Sequence, residues 1–345
     1  MRTAAVILAA GRGRRFGSPK ALIRIAGRTM LEHVAAMARS TGLDPVIAVV
    51  PAGTAVPPFV IPEINPDPEA GLSRSLQLGL AAVPVEEADA AVILLADQPT
   101  VTADAILAVA TETGDRPIVA ARAGGRIGPP VLVRRTAFAL AQRLSGDIGL
   151  REVIGANPDQ VATVEVGEHA PDIDTPEALD ALAPACPGCG ERFVPAPVDE
   201  MHPYIGASTG CWAAFGEVLA REFQDIAYGR VHRHTVDAYA AQHPGQDDRR
   251  QRQSVALHLI GICHWLEHGV ELERLNAITQ RLASEKSDWP WLDPPSSHAM
   301  TVADVLKARS GEEHVRLVRA WAESLWAAWA RHHDTVRRWA AEALG

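Results

Sequence analysis

Seven short apolar runs, at 3–9, 45–50, 59–64, 89–96, 117–121, 130–134 and 161–166, are interspersed with amphipathic stretches at 29–41, 73–83, 102–113, 136–144 and 147–156. That alternation constrains the fold more than any other feature. Adjacent parallel strands need a crossover of helix length, and these stretches supply it, so the first half predicts a mostly parallel sheet with helices on both faces. Residues 4–8 and 91–96 carry no polar face, as strands covered on both sides should. Ser73 and Thr102 read as helix N-caps, and Thr175-Pro176-Glu177 combines a cap, a first-turn proline and an early carboxylate. Ligands of such sheets bind at the carboxyl ends of the strands, which singles out the loops that follow the runs.

At 345 residues the chain exceeds one ordinary core, and its composition breaks near residue 183. All eight Trp, all three Tyr, all four Cys and eleven of the thirteen His lie beyond that point, so a second domain of different chemistry is expected. The stretch Ala183-Pro184-Ala185-Cys186-Pro187 reads as the linker. We therefore expect an α/β domain over 1–182 and an all-α domain over 183–345, with helices at 207–224, 231–242, 249–269, 271–284, 301–309 and 312–341. Trp321, Trp326, Trp329 and Trp339 in the last segment read as core.

Composition also excludes function classes. A net charge of −9 without a basic tail argues against nucleic acid. No apolar run approaches the ~20 residues of a membrane span. The run at 4–10 is too short for a signal peptide and is followed by arginines. Four cysteines in a chain this long argue for a cytoplasmic protein over a disulfide framework.

Against the acidic background, the first 31 residues hold seven basic residues and no acidic one. Most fall in LAAGRGRRFGSPK (8–20), directly after the first run. Gly11, Gly13 and Gly17 let backbone approach an anion, while Arg12, Arg14, Arg15 and Lys20 supply charge, as in a phosphate-binding loop. It is neither a Walker loop nor the Rossmann dinucleotide pattern. In Gly71-Leu72-Ser73-Arg74-Ser75-Leu76 two hydroxyls and an arginine sit at a helix start, where they could meet a base, ribose or phosphate. Asp97 ends a buried run, where a carboxylate needs a partner; Mg²⁺ shared with substrate phosphates would serve. Asp172 and Asp174 compete for the second ligand position if their loop reaches Asp97.

Taken in order, LAAGRGRRFGSPK, GLSRSL, LLADQP, GPPVLVRR, SGDIGLREVI and DIDTPEAL resemble MobA-like nucleotidyltransferases, more narrowly the molybdenum cofactor cytidylyltransferase branch. The resemblance covers about residues 2–182. It implies a Rossmann-like nucleotidyltransferase fold and Mg²⁺-dependent transfer of CMP from CTP to the phosphate of molybdopterin or molybdenum cofactor, releasing pyrophosphate. Leu8, Ala10, Gly11, Arg12, Gly13, Arg15, Lys20, Ser73, Ser75 and Asp97 would then surround the nucleotide. Arg15, Lys20 and Asp97 would be catalytic, with Asp97 and Asp172 or Asp174 holding the metal. Ala10, where guanylyl-transferring relatives carry glycine, favours CTP. Residues 128–130 and 146–149 would lie near the acceptor, although Ile148 replaces the family's lysine. A xanthine-dehydrogenase type hydroxylase apoprotein is a candidate recipient. Transfer to another phosphorylated acceptor, use of GTP, or a non-catalytic carrier of the cofactor remain alternatives.

Cys186-Pro187-Gly188-Cys189-Gly190 has the form of half a zinc site. His202 and Cys211 are the nearest further ligands; Cys263 reads as buried, and a redox pair is the alternative. His264 and His268, one turn apart, offer a second metal hypothesis within a helical bundle. This half also resembles an uncharacterised bacterial domain family, through HPYIGASTGCW and HRHTVDAYAAQHPG.

Overall fold

The computed structural model describes residues 2–11, 13, 15–146, 148–198, 200–285 and 287–344. The chain divides into two compact units, Met1–Arg24 with Arg28–Leu179, and Ile25–Gly27 with Asp180–Gly345.

The first unit is built on seven strands: β1 (Thr3–Leu8), β2 (Val46–Val50), β3 (Val60–Ile64), β4 (Ala90–Leu95), β5 (Ile118–Ala123), β6 (Arg126–Arg134) and β7 (Val161–Glu165). They form one sheet in the order β3-β2-β1-β4-β6-β5-β7, parallel except for β6. Side chains alternate between faces, and the apolar runs fill both. Ala5, Ile7 and Val92 pack with α1 (Met30–Ser40) and α3 (Ala103–Ala110), whereas Val6, Ile93 and Val131 pack with α2 (Leu72–Ala81) and α4 (Leu150–Ala156). Edge strand β3 departs from this pattern, with Pro62 and Glu63 in a mostly exposed segment. Thr102 caps α3 as expected, accepting from the Ala105 N–H. Thr175 likewise accepts from Ala178 at the start of α5 (Pro176–Leu182). The cap of α2 is Gly71, not Ser73, which lies inside the first turn. The stretch 136–144 yields only the short helix Phe138–Ala141.

The second unit is helical: α6 (Thr209–Gln224), α7 (His232–Gln242), α8 (Arg249–His268), α9 (Leu272–Ser284), α10 (Gly311–Ala328) and α11 (His333–Leu344), with shorter turns between. Trp321 and Trp329 are fully buried in its core. The expected helix at 312–341 is broken after Ala328. The Trp326 carbonyl is met by His333 Nε2 at 2.8 Å, and the His333 ring stacks on the Trp326 indole, capping α10 from the start of α11. The expected helix at 301–309 reduces to Val302–Val305, opened by a Thr301–Asp304 capping box. Among the described residues, no helix is long and apolar enough to cross a membrane.

Candidate functional site

In the first unit, the order of the sheet reverses between β1 and β4. That reversal is a topological switch point, and a crevice lies at the carboxyl ends of the two strands. It measures about 690 Å³, and the register partners Leu8 and Leu95 both line it. The loop after β1 forms one wall. Gly13, at φ +59°, accepts from the Phe16 N–H, and a Cβ on it would lie 2.1 Å from the Ser18 carbonyl oxygen, so the fold-back requires glycine. Ala10, Gly11, Gly13 and Arg15 line the crevice, whereas Arg12 and Arg14 lie outside the described residues.

Charge is concentrated where this loop faces the end of β4. Lys20 Nζ stands 3.2 Å from Asp97 Oδ2 and also bonds Asp174 Oδ1. The DIDTP loop is pinned there by the Ile173 N–H, which donates to the Asp97 carbonyl at 2.9 Å, with the Ile173 side chain buried beneath it. Asp174 faces the crevice, while Asp172 accepts from Gln98 Nε2 at 2.9 Å to one side. Burial pushes the Asp97 carboxyl above the usual carboxylate range; Lys20 pulls it back, and the charges of Asp172 and Asp174 push it further up. Burial lowers Lys20, but its hydrogen bond to Asp174 and the charge of Asp97 outweigh that and leave its pKa raised. One ammonium is thus held between two carboxylates, with Asp172 beside them on Gln98.

The two serines separate. Ser75 lines the crevice, and its hydroxyl accepts from the buried Asn65 Nδ2 at 3.1 Å, leaving a proton to donate. Ser73 is buried behind it, its hydroxyl donating to the Gly146 carbonyl at 2.8 Å and its N–H to the same oxygen. Ser73 therefore ties α2 to the Gly146 loop and does not face the crevice, contrary to the sequence reading. Asp147 lies outside the described residues. Sequence reasoning missed Asn65 and the crevice-lining Pro68 and Glu69. Asp67-Pro68-Glu69, a capping residue followed by a first-turn proline and an acid, carried a local signal for that turn.

In the helical unit, Cys186, Cys189, Cys211 and His243 bring their donor atoms within 4.8 Å of one another, all four buried. His202 is not part of this group: it is exposed, and its Nδ1 accepts from the Tyr204 N–H. His243 stands in its place because the end of α7 lies against the knuckle, whereas His202 does not turn inward. The His264–His268 hypothesis is not met either. Among the described residues the other compact group is Cys263, Glu267 and His268, and there Glu267 is already held by two bonds from Arg337.

Residues 5–161 match the MobA-like NTP transferase domain, and residues 184–330 match DUF5946, a family of unknown function. Purine catabolism protein PucB of Bacillus subtilis is 30% identical over 196 residues, covering 51% of this chain and 94% of PucB. The Rv0371c homologue from Mycobacterium sp. strain JC1 is 27% identical, covering 52% of this chain and 94% of its own, with a TM-score of 0.48. Rv0371c from Mycobacterium tuberculosis H37Rv is 26% identical, with coverages of 53% and 97% and a TM-score of 0.47. With a phosphate-type loop, a carboxylate-ended β4 and the DIDTP loop around one crevice, and a relative matched over nearly its whole length, the chain belongs to the MobA-like NTP transferase family.

Proposed function

We propose that the crevice transfers CMP from CTP to the terminal phosphate of molybdopterin or molybdenum cofactor, with Mg²⁺ as its cation. The observation that carries this reading is the Lys20 ammonium held between Asp97 and Asp174 at the switch point of the sheet. The donors are carboxylate oxygens, which suit a hard cation, and Asp97, raised first by its burial and then by the charges of Asp172 and Asp174, is a carboxylate that a cation would stabilise. Asp97 and Asp174 would hold the metal, with Asp172 braced by Gln98 beside them. When bound, the ion supplies charge neutralisation on the substrate phosphates.

The acceptor phosphate is already an anion, so no protein base or nucleophile is required. Its oxygen bonds to the α-phosphorus of CTP as the bond from that phosphorus to the bridging oxygen breaks, and pyrophosphate carries the electron pair away. Arg15 and Lys20 bind the triphosphate and offset charge on the departing pyrophosphate, while the Gly11–Gly13 backbone approaches it; catalysis is alignment plus electrostatics. Ala10 and the ordered motifs favour CTP. PucB is named for purine catabolism, which accords with a cofactor destined for a xanthine-dehydrogenase type hydroxylase. We assign transfer to residues 1–182 and an accessory role to 183–345. For the Cys/His quartet we propose zinc, since three thiolates and an imidazole are ligands that magnesium does not favour.

Pyrophosphate release from CTP in the presence of the acceptor and Mg²⁺ tests the reading. Asp97→Ala should reduce it by about 10²–10³-fold while the protein stays folded; wild-type turnover in that variant would remove the metal role of Asp97. Calorimetry with CTP, GTP and ATP in turn should show CTP bound most tightly, and a strong preference for GTP would reassign the base. Tight binding of the cofactor without pyrophosphate release would make the protein a carrier.

A further inference from the structure

We infer that the quartet is a closed structural site of Cys₃His type with His243 as its nitrogen ligand, clamping the CPGCG knuckle to the start of α6 and the end of α7; this rests on the zinc reading. The spacing fits. Cys189 and Cys211 Sγ are 3.9 Å apart, and Cys211 Sγ lies 3.3 Å from His243 Nε2. A tetrahedral ion with Zn–S of about 2.3 Å and Zn–N of about 2.0 Å sets neighbouring donors about 3.5–3.8 Å apart. All four cysteines of the chain are free, so no disulfide competes for these sulfurs. The four residues are at most 4% exposed, which leaves no position for water or substrate and points to a structural site rather than a catalytic one.

Three of the four donors are each aimed by a different local device. The Cys186 carbonyl accepts from the Gly190 N–H at 2.9 Å, closing the knuckle, and the Ser208 N–H approaches Cys186 Sγ at 3.4 Å. Cys211 occupies the first turn of α6, which Ser208 caps, and the Tyr239 hydroxyl donates to its sulfur at 3.5 Å. His243 follows the last turn of α7, and its Nδ1 lies 2.8 Å from the Tyr239 carbonyl. That carbonyl can only accept, so the proton belongs on Nδ1 and the Nε2 lone pair faces the cysteines. Gly188 makes the approach possible: a Cβ there would sit 2.5 Å from His243 Cδ2 and 2.7 Å from the Gly206 carbonyl oxygen. The tautomer, the ring position and the missing side chain at Gly188 all serve one geometry. Because the ligands come from three separated stretches of chain, binding the ion would contribute directly to folding of this unit.

The test is zinc content of the full-length protein, with visible spectra after Co²⁺ replacement. Wild type and His202→Ala should each carry one zinc per chain and show tetrahedral Co²⁺ bands with thiolate charge transfer. His243→Ala should lose zinc to a chelator at least about 10–100-fold more readily, and His243→Cys should keep one zinc with stronger thiolate charge transfer. Wild type without zinc would overturn the zinc reading itself. Zinc held as tightly by His243→Ala as by wild type, or Co²⁺ bands unchanged in His243→Cys, would overturn the assignment of His243 while leaving zinc in place. If His243→Ala does not fold, His243→Cys decides.

Discussion

The two units gather metal-seeking groups in opposite ways. In the α/β unit the donors are oxygens on loops at strand ends; Asp174 is half exposed, and a lysine already sits among the carboxylates. In the helical unit the donors are sulfur and nitrogen, buried, with no cationic side chain among them. The first arrangement suits a cation that arrives and leaves with a phosphate substrate, because Lys20 can stand in as counter-charge between turnovers. The second suits an ion that stays, because four buried soft donors are costly to leave empty. On the proposed reading, hardness and exposure separate a working site from a structural one.

The sharpest way to break this comparison is to remove the stand-in charge. Lys20→Ala should lower kcat/KM for pyrophosphate release by about 10²–10³-fold with the metal content of the helical unit unchanged. A change in that content would show that the two sites are coupled. Acid response should divide the units next. His234 is 7% exposed, stacks flat on Trp265 and has no partner at Nδ1. Burial holds its pKa at about 4. The unfolded chain takes this proton near pH 6.5 and the folded one only near 4, so the stability is complete above pH 6.5 and is lost as pH falls through 4. The loss amounts to about 3 kcal/mol. Every tryptophan lies beyond residue 183, so urea titrations followed by tryptophan fluorescence report this unit selectively. His234→Phe should reduce the difference between pH 7 and pH 4.5 by its own share and leave that of His298, which burial also holds at about 4, and of His264, which burial also lowers. The smallest effects distinguish the serines. Ser73→Ala should cost about 1 kcal/mol of stability and leave the KM for nucleotide unchanged, whereas Ser75→Ala should raise that KM about 3–10-fold.

The sheet was legible because strands buried on both faces read as unbroken apolar runs, and all seven expected strands formed within a few residues of their expected bounds. The basic loop, the carboxylate ending β4 and the CPGCG turn were equally legible, since each signal lies within a few consecutive residues. The break after Ala328 was not, because neither proline nor glycine marks it and the cap comes from His333 packing on Trp326. Ser73 and Ser75 look alike in sequence, yet one faces the Gly146 carbonyl and the other lines the crevice.

The choice between His202 and His243 shows the same limit most plainly. His202 lies nine residues from Cys211, and His243 lies 32 away. Proximity along the chain favoured the first; the end of α7 brings the second to the cysteines. Residue type, spacing and periodicity encode what a segment can become and which donors it can offer, because those properties are local. Which donors meet is a property of long-range packing, in which a helix end, a glycine without a side chain and one hydrogen bond to a carbonyl place an imidazole ring that no short stretch of sequence can place.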